Sequence, residues 1–358
     1  MAKHIKVLSV VVAYNPYRSG FFPRCLEALL EMKLDNENYQ IDHQILVVDN
    51  SSTDDTRQLV RKNFPRIELV LCDNIGYAGG NNVGFDRALA READYIAVVT
   101  HDVTVTPNWL LNAVDVAETD KRIGVVQPLL LLWSKKDVVN SIGNAIHFLG
   151  YGYAGGYMKP VAEINREAIT DIPYASGACI LVRSQAIRDV GGFDEEMWMY
   201  NEDEDLGWRM NLLGYRNVLA PQSEVYHQYE FSRSISKLYF MDRNRILVML
   251  QNYHWATLLI LAPVILLNEI ATLALAYAGG WHREKLRVWR YFLRRQSWRV
   301  LLIKRRLRQT NRIVKEQVIV SRFTGEILFQ DVMNPVVKYF GNPLLAFFWK
   351  ICKCVILW

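Results

Sequence analysis

At 358 residues, 51% of them apolar, the chain can hold one large domain or a domain with an appendage. Its five cysteines (Cys25, Cys72, Cys179, Cys352, Cys354) are odd in number and form no Cys-x-x-Cys pair, which argues against a disulfide scaffold or a zinc site and for reduced thiols. The net charge of +5 hides a split: residues 241–358 carry 19 Lys+Arg against 6 Asp+Glu, and the first 240 carry 23 against 31. An acidic domain over 1–240 and a basic region over 241–358 are therefore expected, the second facing an anionic surface such as lipid or nucleic acid.

The N-terminal "MAKHIKVLSVVVAY" lacks the basic, apolar and cleavage segments of a signal peptide, so the expectation is a chain that opens in a strand. "IKVLSVVVAYN" (5–15) is an apolar run of the kind buried on both sheet faces, and it is followed by "QILVVDNSS" (44–52), "RIELVLCDN" (66–74) and "DYIAVVTHDV" (94–103). Helical patterns lie between, at about 21–33, 54–63 and 81–92, with Thr53 as the expected N-cap of the second. The alternation predicts an α/β fold with a doubly wound parallel sheet, whose ligands bind beyond the carboxyl ends of the strands. Asn15, Asp49, Asn74 and Asp102 fall at those ends.

Several stretches carry candidate chemistry. "DNIGYAGGNNVGF" (73–85) reads as a Gly-rich loop opening a helix, able to bring backbone N–H groups to a phosphate or simply to make a tight turn. It is neither Gly-x-Gly-x-x-Gly nor a P-loop. "VVTHDVTVTPNW" (98–109) places Asp102 where an oxygen ligand could hold Mg²⁺ or Mn²⁺, and His227 is a second candidate ligand, or a structural histidine. "GYGYAGGY" (150–157) reads as a loop, and 172–195 as a strand, a helix and a turn. In "MYNEDEDLGWRMNLLGY" (199–215), Leu206, Met210 and Leu213 set a helix that begins near Glu202–Asp205 and ends at Gly214. A first helical turn tolerates one or two acids; four in a row raise one another's pKa, which suits a general base.

Residues 256–278 are apolar and long enough to cross a bilayer, yet Pro263, Asn268 and Glu269 interrupt them. A single span would also put the basic 283–315 stretch opposite the preceding domain, so in-plane or re-entrant helices are expected instead. "LRVWRYFLRRQSWRVLLIKRRLRQ" (286–309) reads as one interfacial helix, and "NPLLAFFWKICKCVILW" (342–358) as a second interfacial contact. Ordinary buried helices are the alternative.

The ordered set "VVAYN", "VVDNSS", "NIGYAGGNNVG", "THDVTVTP", "SGACILVR", "GGFDE" and "NEDEDLGWR", spread over about residues 5–230, resembles the family 2 glycosyltransferases of GT-A fold, in their bacterial rhamnosyltransferase-like branch. The resemblance implies a nucleotide-sugar site lined by Asn15 and Asp49 at the nucleoside and by Asn74, Gly76, Gly79 and Asn81 beside the diphosphate. It implies Mg²⁺ or Mn²⁺ at Asp102, in a motif whose first acid is replaced by Thr100, with His227 as a further ligand. Asp203 corresponds to the general base, with Glu202 and Asp205 orienting acceptor or scaffold and Gly177, Ala178 and the "GGFDE" turn flanking the acceptor. The implied enzyme is an inverting transferase on the cytoplasmic face of the cell membrane, moving a sugar (rhamnose at family level) to a lipid-linked or envelope glycan. Its partners are donor, acceptor and anionic lipid, not nucleic acid, with homo-oligomerisation left open. A sugar-nucleotidyltransferase and an inactive membrane scaffold are the competing readings.

Overall fold

The computed structural model describes residues 2–229, 235–328, 335 and 337–358. The chain divides into two compact units, Met1–Asn144, Ala154–Met210 and Tyr215–Glu230 in the first and Ala145–Tyr153, Asn211–Gly214 and Phe231–Trp358 in the second. The sequence places the boundary at 240; the contacts place it at 230 and give two short earlier segments to the second unit.

In the first unit β1 (Lys3–Ala13), β2 (Tyr39–Asn50), β3 (Glu68–Cys72) and β4 (Tyr95–Val99) run parallel, separated by α1 (Phe22–Leu30), α2 (Thr56–Asn63) and α3 (Gly76–Ala90). Their apolar runs are continuous because both faces are covered. Along β1, Ile5, Val7 and Val11 enter one core, while Leu8, Val10 and Val12 enter the other. The chain continues through β5 (Val103–Val105), α4 (Trp109–Glu118), β6 (Ile123–Leu132) and β7 (Lys135–Ser141). Then come β8 (Asn144–Ile146), β9 (Gly152–Ala154), β10 (Thr170–Asp171), β11 (Cys179–Arg183), α5 (Ser184–Val190), α6 (Glu202–Leu212) and β12 (Arg216–His227). The main sheet runs β10-β12-β6-β11-β4-β1-β2-β3, with β5 added to β12 and β7 to β6; β8 and β9 pair separately. It is mixed rather than wholly parallel, because β11 inserts antiparallel between β4 and β6.

Three local expectations are corrected. Helix α3 begins at Gly76, not near 81, so most of the Gly-rich stretch is helix rather than loop. Each helical Gly costs about 1 kcal/mol against Ala. The compensation is close packing on β1: a Cβ on Gly80 would lie 2.8 Å from Val12, and one on Gly84 2.3 Å from Val10. Thr53 does not cap α2; its N–H and hydroxyl both donate to Asn15 Oδ1, and Asp54 Oδ1 accepts the Thr56 N–H instead. The expected loop at 150–157 contains β9.

The second unit is helical: α7 (Ile235–Asn252), α8 (Trp255–Ala278), α9 (His282–Leu293), α10 (Arg295–Thr310), α11 (Glu316–Val320) and α12 (Asn342–Val355). The single helix expected over 286–309 is two, broken where Arg294 adopts an extended conformation (ψ 127°). Among the described residues, α8 is the one helix long and apolar enough to cross a membrane. Its polar residues are engaged within the unit. Glu269 accepts from Arg245 (2.6 Å), Lys285 (2.7 Å) and Trp289 (3.1 Å), and Asn268 pairs with the Tyr151 hydroxyl (3.1 Å). Arg245 and Lys285 also both reach Asp242, so two buried cations meet two carboxylates and neither charge is left alone.

Gly84→Ala tests the helix–sheet packing. With no room beside Val10, it is expected to cost about 1–3 kcal/mol. The urea midpoint should fall, and an unchanged midpoint would mean that α3 does not need the missing side chain.

Candidate active site

The carboxyl ends of β1 and β2 lie side by side, because Ala13 pairs with Asp49. Asn15, in the left-handed region (φ 52°), donates its N–H to Ser52 Oγ (3.0 Å), and its Oδ1 accepts from Thr53 and Asp54. Asp49 is fully buried; its Oδ1 accepts the Ser52 N–H (2.9 Å), and its Oδ2 accepts from Arg57. Asn15 and Asp49 thus shape one turn, and Asp49 closes its strand as an Asx-turn does while also holding a cation.

At the end of β3 the turn of Asn74 is clamped by Asn50. The Asn50 amide donates to Asn74 Oδ1 (3.3 Å) and Gly76 O (3.0 Å), and its Oδ1 accepts the Ile75 N–H (2.9 Å). Gly76 has φ +77°, and a Cβ there would fall 2.4 Å from the Trp198 carbonyl and 2.5 Å from its ring. Gly79 sits inside α3 against the Ile75 side chain, so packing accounts for it. Asn81 is fully buried and donates to Tyr77 O (2.9 Å), standing behind Tyr77 rather than lining the turn.

Register also brings Asp102 to His227, because β5 pairs β12 with Val103 opposite His227. His227 Nε2 lies 3.6 Å from Asp102 Oδ1, a buried oxygen with no hydrogen-bond partner. The other ring nitrogen, Nδ1, is 2.9 Å from Asn140 Oδ1, an oxygen that only accepts. Nδ1 therefore carries the proton, and the lone pair of Nε2 faces a carboxylate oxygen across a gap. Two facing lone pairs repel unless a cation lies between them, so this donor set fits a divalent metal ion. Among the described residues no cluster of three or more acidic, His or Cys side chains could hold a metal, so further ligands would come from substrate or water.

The four consecutive carboxylates at the start of α6 have four different fates. Asp205 is fully buried in an ion pair with Arg209 (2.7 Å). Arg209 also donates to the carbonyls of Val190 (2.9 Å) and Gly192 (2.7 Å), so Asp205 supports the "GGFDE" turn. Glu204, also buried, accepts from Asn201 (2.7 Å). Asp203 is held by two backbone amides: Gly177 N–H to Oδ2 (2.9 Å) and Glu204 N–H to Oδ1 (2.8 Å). Its pKa is raised by burial, with the two amides pulling it back. Glu202 is buried and its Oε2 has no hydrogen-bond partner. Burial first, and then the Asp203 charge, push Glu202 up to about 8, so at neutral pH it is a neutral acid able to donate a hydrogen bond.

The preceding segment is strained to present this turn: Trp198, Tyr200 and Asn201 all have positive φ (63°, 68° and 62°). The Trp198 carbonyl accepts the Ala78 N–H (3.1 Å), and Asn82 grips Phe193 by both N–H and C=O (2.9 Å each). Tyr77 donates its hydroxyl to Gly177 O (2.7 Å), and its own ionisation is opposed by burial and then by Glu202, Asp203 and Asp102. Asn50, Tyr77, Asn82, Asn140 and Arg209 are functional supports that the sequence reading missed. Asn50, Tyr77, Asn82 and Arg209 lie inside the quoted motifs without a local signal for these contacts, and Asn140 lies outside them.

Residues 9–191 match the model of glycosyl transferase family 2. The N-acetylglucosaminyl-diphospho-decaprenol L-rhamnosyltransferase of Mycobacterium tuberculosis is 30% identical over 201 residues, 51% of this chain and 66% of that protein. The rhamnosyltransferase WbbL of Escherichia coli K12 is 24% identical over 211 residues, 56% of this chain and 79% of that protein. Among solved structures, S. aureus TarS 1-349 superposes with a TM-score of 0.51 at 15% identity, covering 98% of this chain and 90% of that one. GalNAc-T7 with UDP, GalNAc and Mn²⁺ gives 0.53 at 13% identity, covering 68% and 47%. The chain thus spans just under two thirds of the mycobacterial protein and about half of GalNAc-T7. The structural likenesses establish the GT-A fold.

The burial of Glu202 has a measurable consequence. Its folded-state pKa is raised from 4.5 to about 8, so the folded chain binds the extra proton and loses stability as pH rises through that window. Glu202→Gln removes the ionisation. Urea unfolding at pH 5 and pH 8 should show a smaller loss for the variant than for the wild type, and equal losses would mean that Glu202 ionises freely in the folded state.

Proposed function

The chain belongs to glycosyl transferase family 2, and on that premise we propose that it is an inverting glycosyltransferase. It moves a sugar from a nucleoside-diphosphate sugar to a hydroxyl of a lipid-linked or cell-envelope glycan. Rhamnose is the sugar favoured by the names of its mycobacterial and E. coli relatives. The observation that carries the reading is Asp203, a carboxylate at the start of α6 fixed by two amides beside a neutral Glu202, in the same unit as the Asp102–His227 pair.

In this reading Asp203 takes the proton of the acceptor hydroxyl. The acceptor oxygen forms its bond to the anomeric carbon as the bond to the nucleoside diphosphate breaks, the electron pair leaving with the diphosphate. One base and one displacement give inversion. Asp203 needs no reorientation, because its two amide bonds set the carboxylate before substrate arrives. Glu202 supplies a hydrogen-bond donor there without adding a second negative charge. Asn15, Asp49, Asn74 and Gly76 shape the strand-end turns on which the nucleoside and diphosphate would rest. Asp102 and His227 would hold Mg²⁺ or Mn²⁺, which when bound neutralises charge on the leaving diphosphate.

We assign the second unit to peripheral contact with an anionic membrane surface, on its cytoplasmic face. Its support is an exposed apolar stripe on α12 (Leu344, Phe347, Ile351, Val355) and another on α8 (Leu259, Leu266, Ile270), beside the Arg-rich α9 and α10. The internal pairing of Glu269 and Asn268 leaves the outer side of α8 apolar and suits a helix lying in the interface.

Asp203→Asn should lower kcat by roughly 10²–10⁴-fold, with donor affinity by calorimetry and the circular dichroism spectrum retained. Transfer near the wild-type rate would remove Asp203 as base. For the second unit, flotation should show binding to vesicles containing an anionic lipid that weakens with salt, without comparable binding to DNA. DNA binding in the absence of vesicle binding would contradict the assignment.

A further inference from the structure

The geometry points to Tyr77 as the residue that positions Asp203, acting through Gly177. The proposal rests on the reading of Asp203 as the base. The Tyr77 hydroxyl donates to the Gly177 carbonyl at 2.7 Å, and the Gly177 N–H in turn donates to Asp203 Oδ2 at 2.9 Å. Gly177 lies in ordinary contact with the two groups it joins: a Cβ built on it would lie 3.5 Å from Asp203 Cβ and 3.6 Å from the Tyr77 oxygen. With no side chain of its own to pack, the residue is oriented by its hydrogen bonds. The neighbouring turn adds Ser176, whose N–H donates to Gln127 Oε1 (2.7 Å), and Thr100, whose N–H donates to Ala178 O (2.9 Å). Tyr77 holds the Gly177 carbonyl itself from the α3 side.

Tyr77 is itself well anchored. It is the second residue of α3, its backbone carbonyl accepts from the buried Asn81, and its ring lies 6.2 Å from Phe193. Phe193 packs in turn against Phe85, tilted at 38° with ring centroids 5.3 Å apart, one face of the α3 packing core. The glycines that bring α3 onto β1 therefore also set where the Tyr77 hydroxyl stands. Asn74, Gly76 and Ala78 belong to the same helix start, so the turn that would face the donor diphosphate and the group that fixes the base are parts of one segment. Tyr77 is a positioning residue, not a catalytic one.

Tyr77→Phe keeps the ring and removes the donor. It should lower kcat about tenfold, with KM for the donor and its affinity by calorimetry changed by less than about twofold. The pH profile gives a second readout. A Gly177 N–H held less firmly stabilises the Asp203 carboxylate less, so the acid limb of kcat should move to higher pH by roughly half a unit to one unit. The other titratable groups facing Asp203, Glu202 and Tyr77 itself, change little in the relevant range: Tyr77 is absent and Glu202 stays protonated there. A general loss of folding would lower the active fraction without moving that limb. Wild-type kcat and an unmoved profile would overturn the proposal. Weakened donor binding with an unmoved profile would also overturn it, placing Tyr77 in the donor site instead. Asp203→Asn is measured in parallel: if it stays active, the base reading fails, whereas an inactive Asp203→Asn with a wild-type Tyr77→Phe sinks the Tyr77 proposal alone.

Discussion

Four carboxylates in succession at the start of α6 cannot all ionise in a poorly solvated turn, and the first unit is arranged around that constraint. Asp205 is neutralised by Arg209, and Glu204 is tied to Asn201. Burial pushes Glu202 up to about 8, and Asp203 is raised by burial as well, with two amides pulling it back. Arg209, Asn201 and the Glu204 amide are local partners, whereas the Gly177 amide comes from the segment before β11 and ties the turn to the sheet.

The sorting depends in turn on α3. Gly80 and Gly84 let the helix settle against Val12 and Val10 of β1, and Gly76 makes room for Trp198. That close approach places Tyr77 against Gly177 and Asn82 against Phe193, while the Ala78 N–H reaches the Trp198 carbonyl. The left-handed residues Trp198, Tyr200 and Asn201 are strained, and the hydrogen bonds from α3 help to hold them. At the far side of β11, the β5–β12 register delivers Asp102 to His227 by a different route, with Asn140 setting the histidine tautomer.

Strands β1 to β4 are legible because each is an apolar run covered on both faces, and the pattern puts Asn15, Asp49, Asn74 and Asp102 at their ends. The start of α3 is not, since glycines depress the helical signal and their reason, contact with Val10 and Val12, is tertiary. Thr53 looked like a cap because a nearby Asn15 from another strand is invisible to local pattern. The antiparallel entry of β11 has the same origin: a short apolar strand does not declare its direction. In the acidic turn, the crowding was visible but its resolution was not. Arg209 at i+4 from Asp205 could have been read as a helical ion pair; the amide of Gly177 and the hydroxyl of Tyr77 could not. In the second unit the apolar and basic composition was plain, whereas the break at Arg294 and the pairing of Glu269 with Arg245 and Lys285 required the fold.

The most direct measurement is nucleoside-diphosphate release by the wild-type chain across a panel of nucleotide sugars, with Mn²⁺ or Mg²⁺ and then with EDTA, alongside donor binding by calorimetry. The account predicts release from one donor, lost on chelation, because Asp102 and His227 face each other across a gap suited to a cation. Neither release nor binding for any donor in the panel would contradict it.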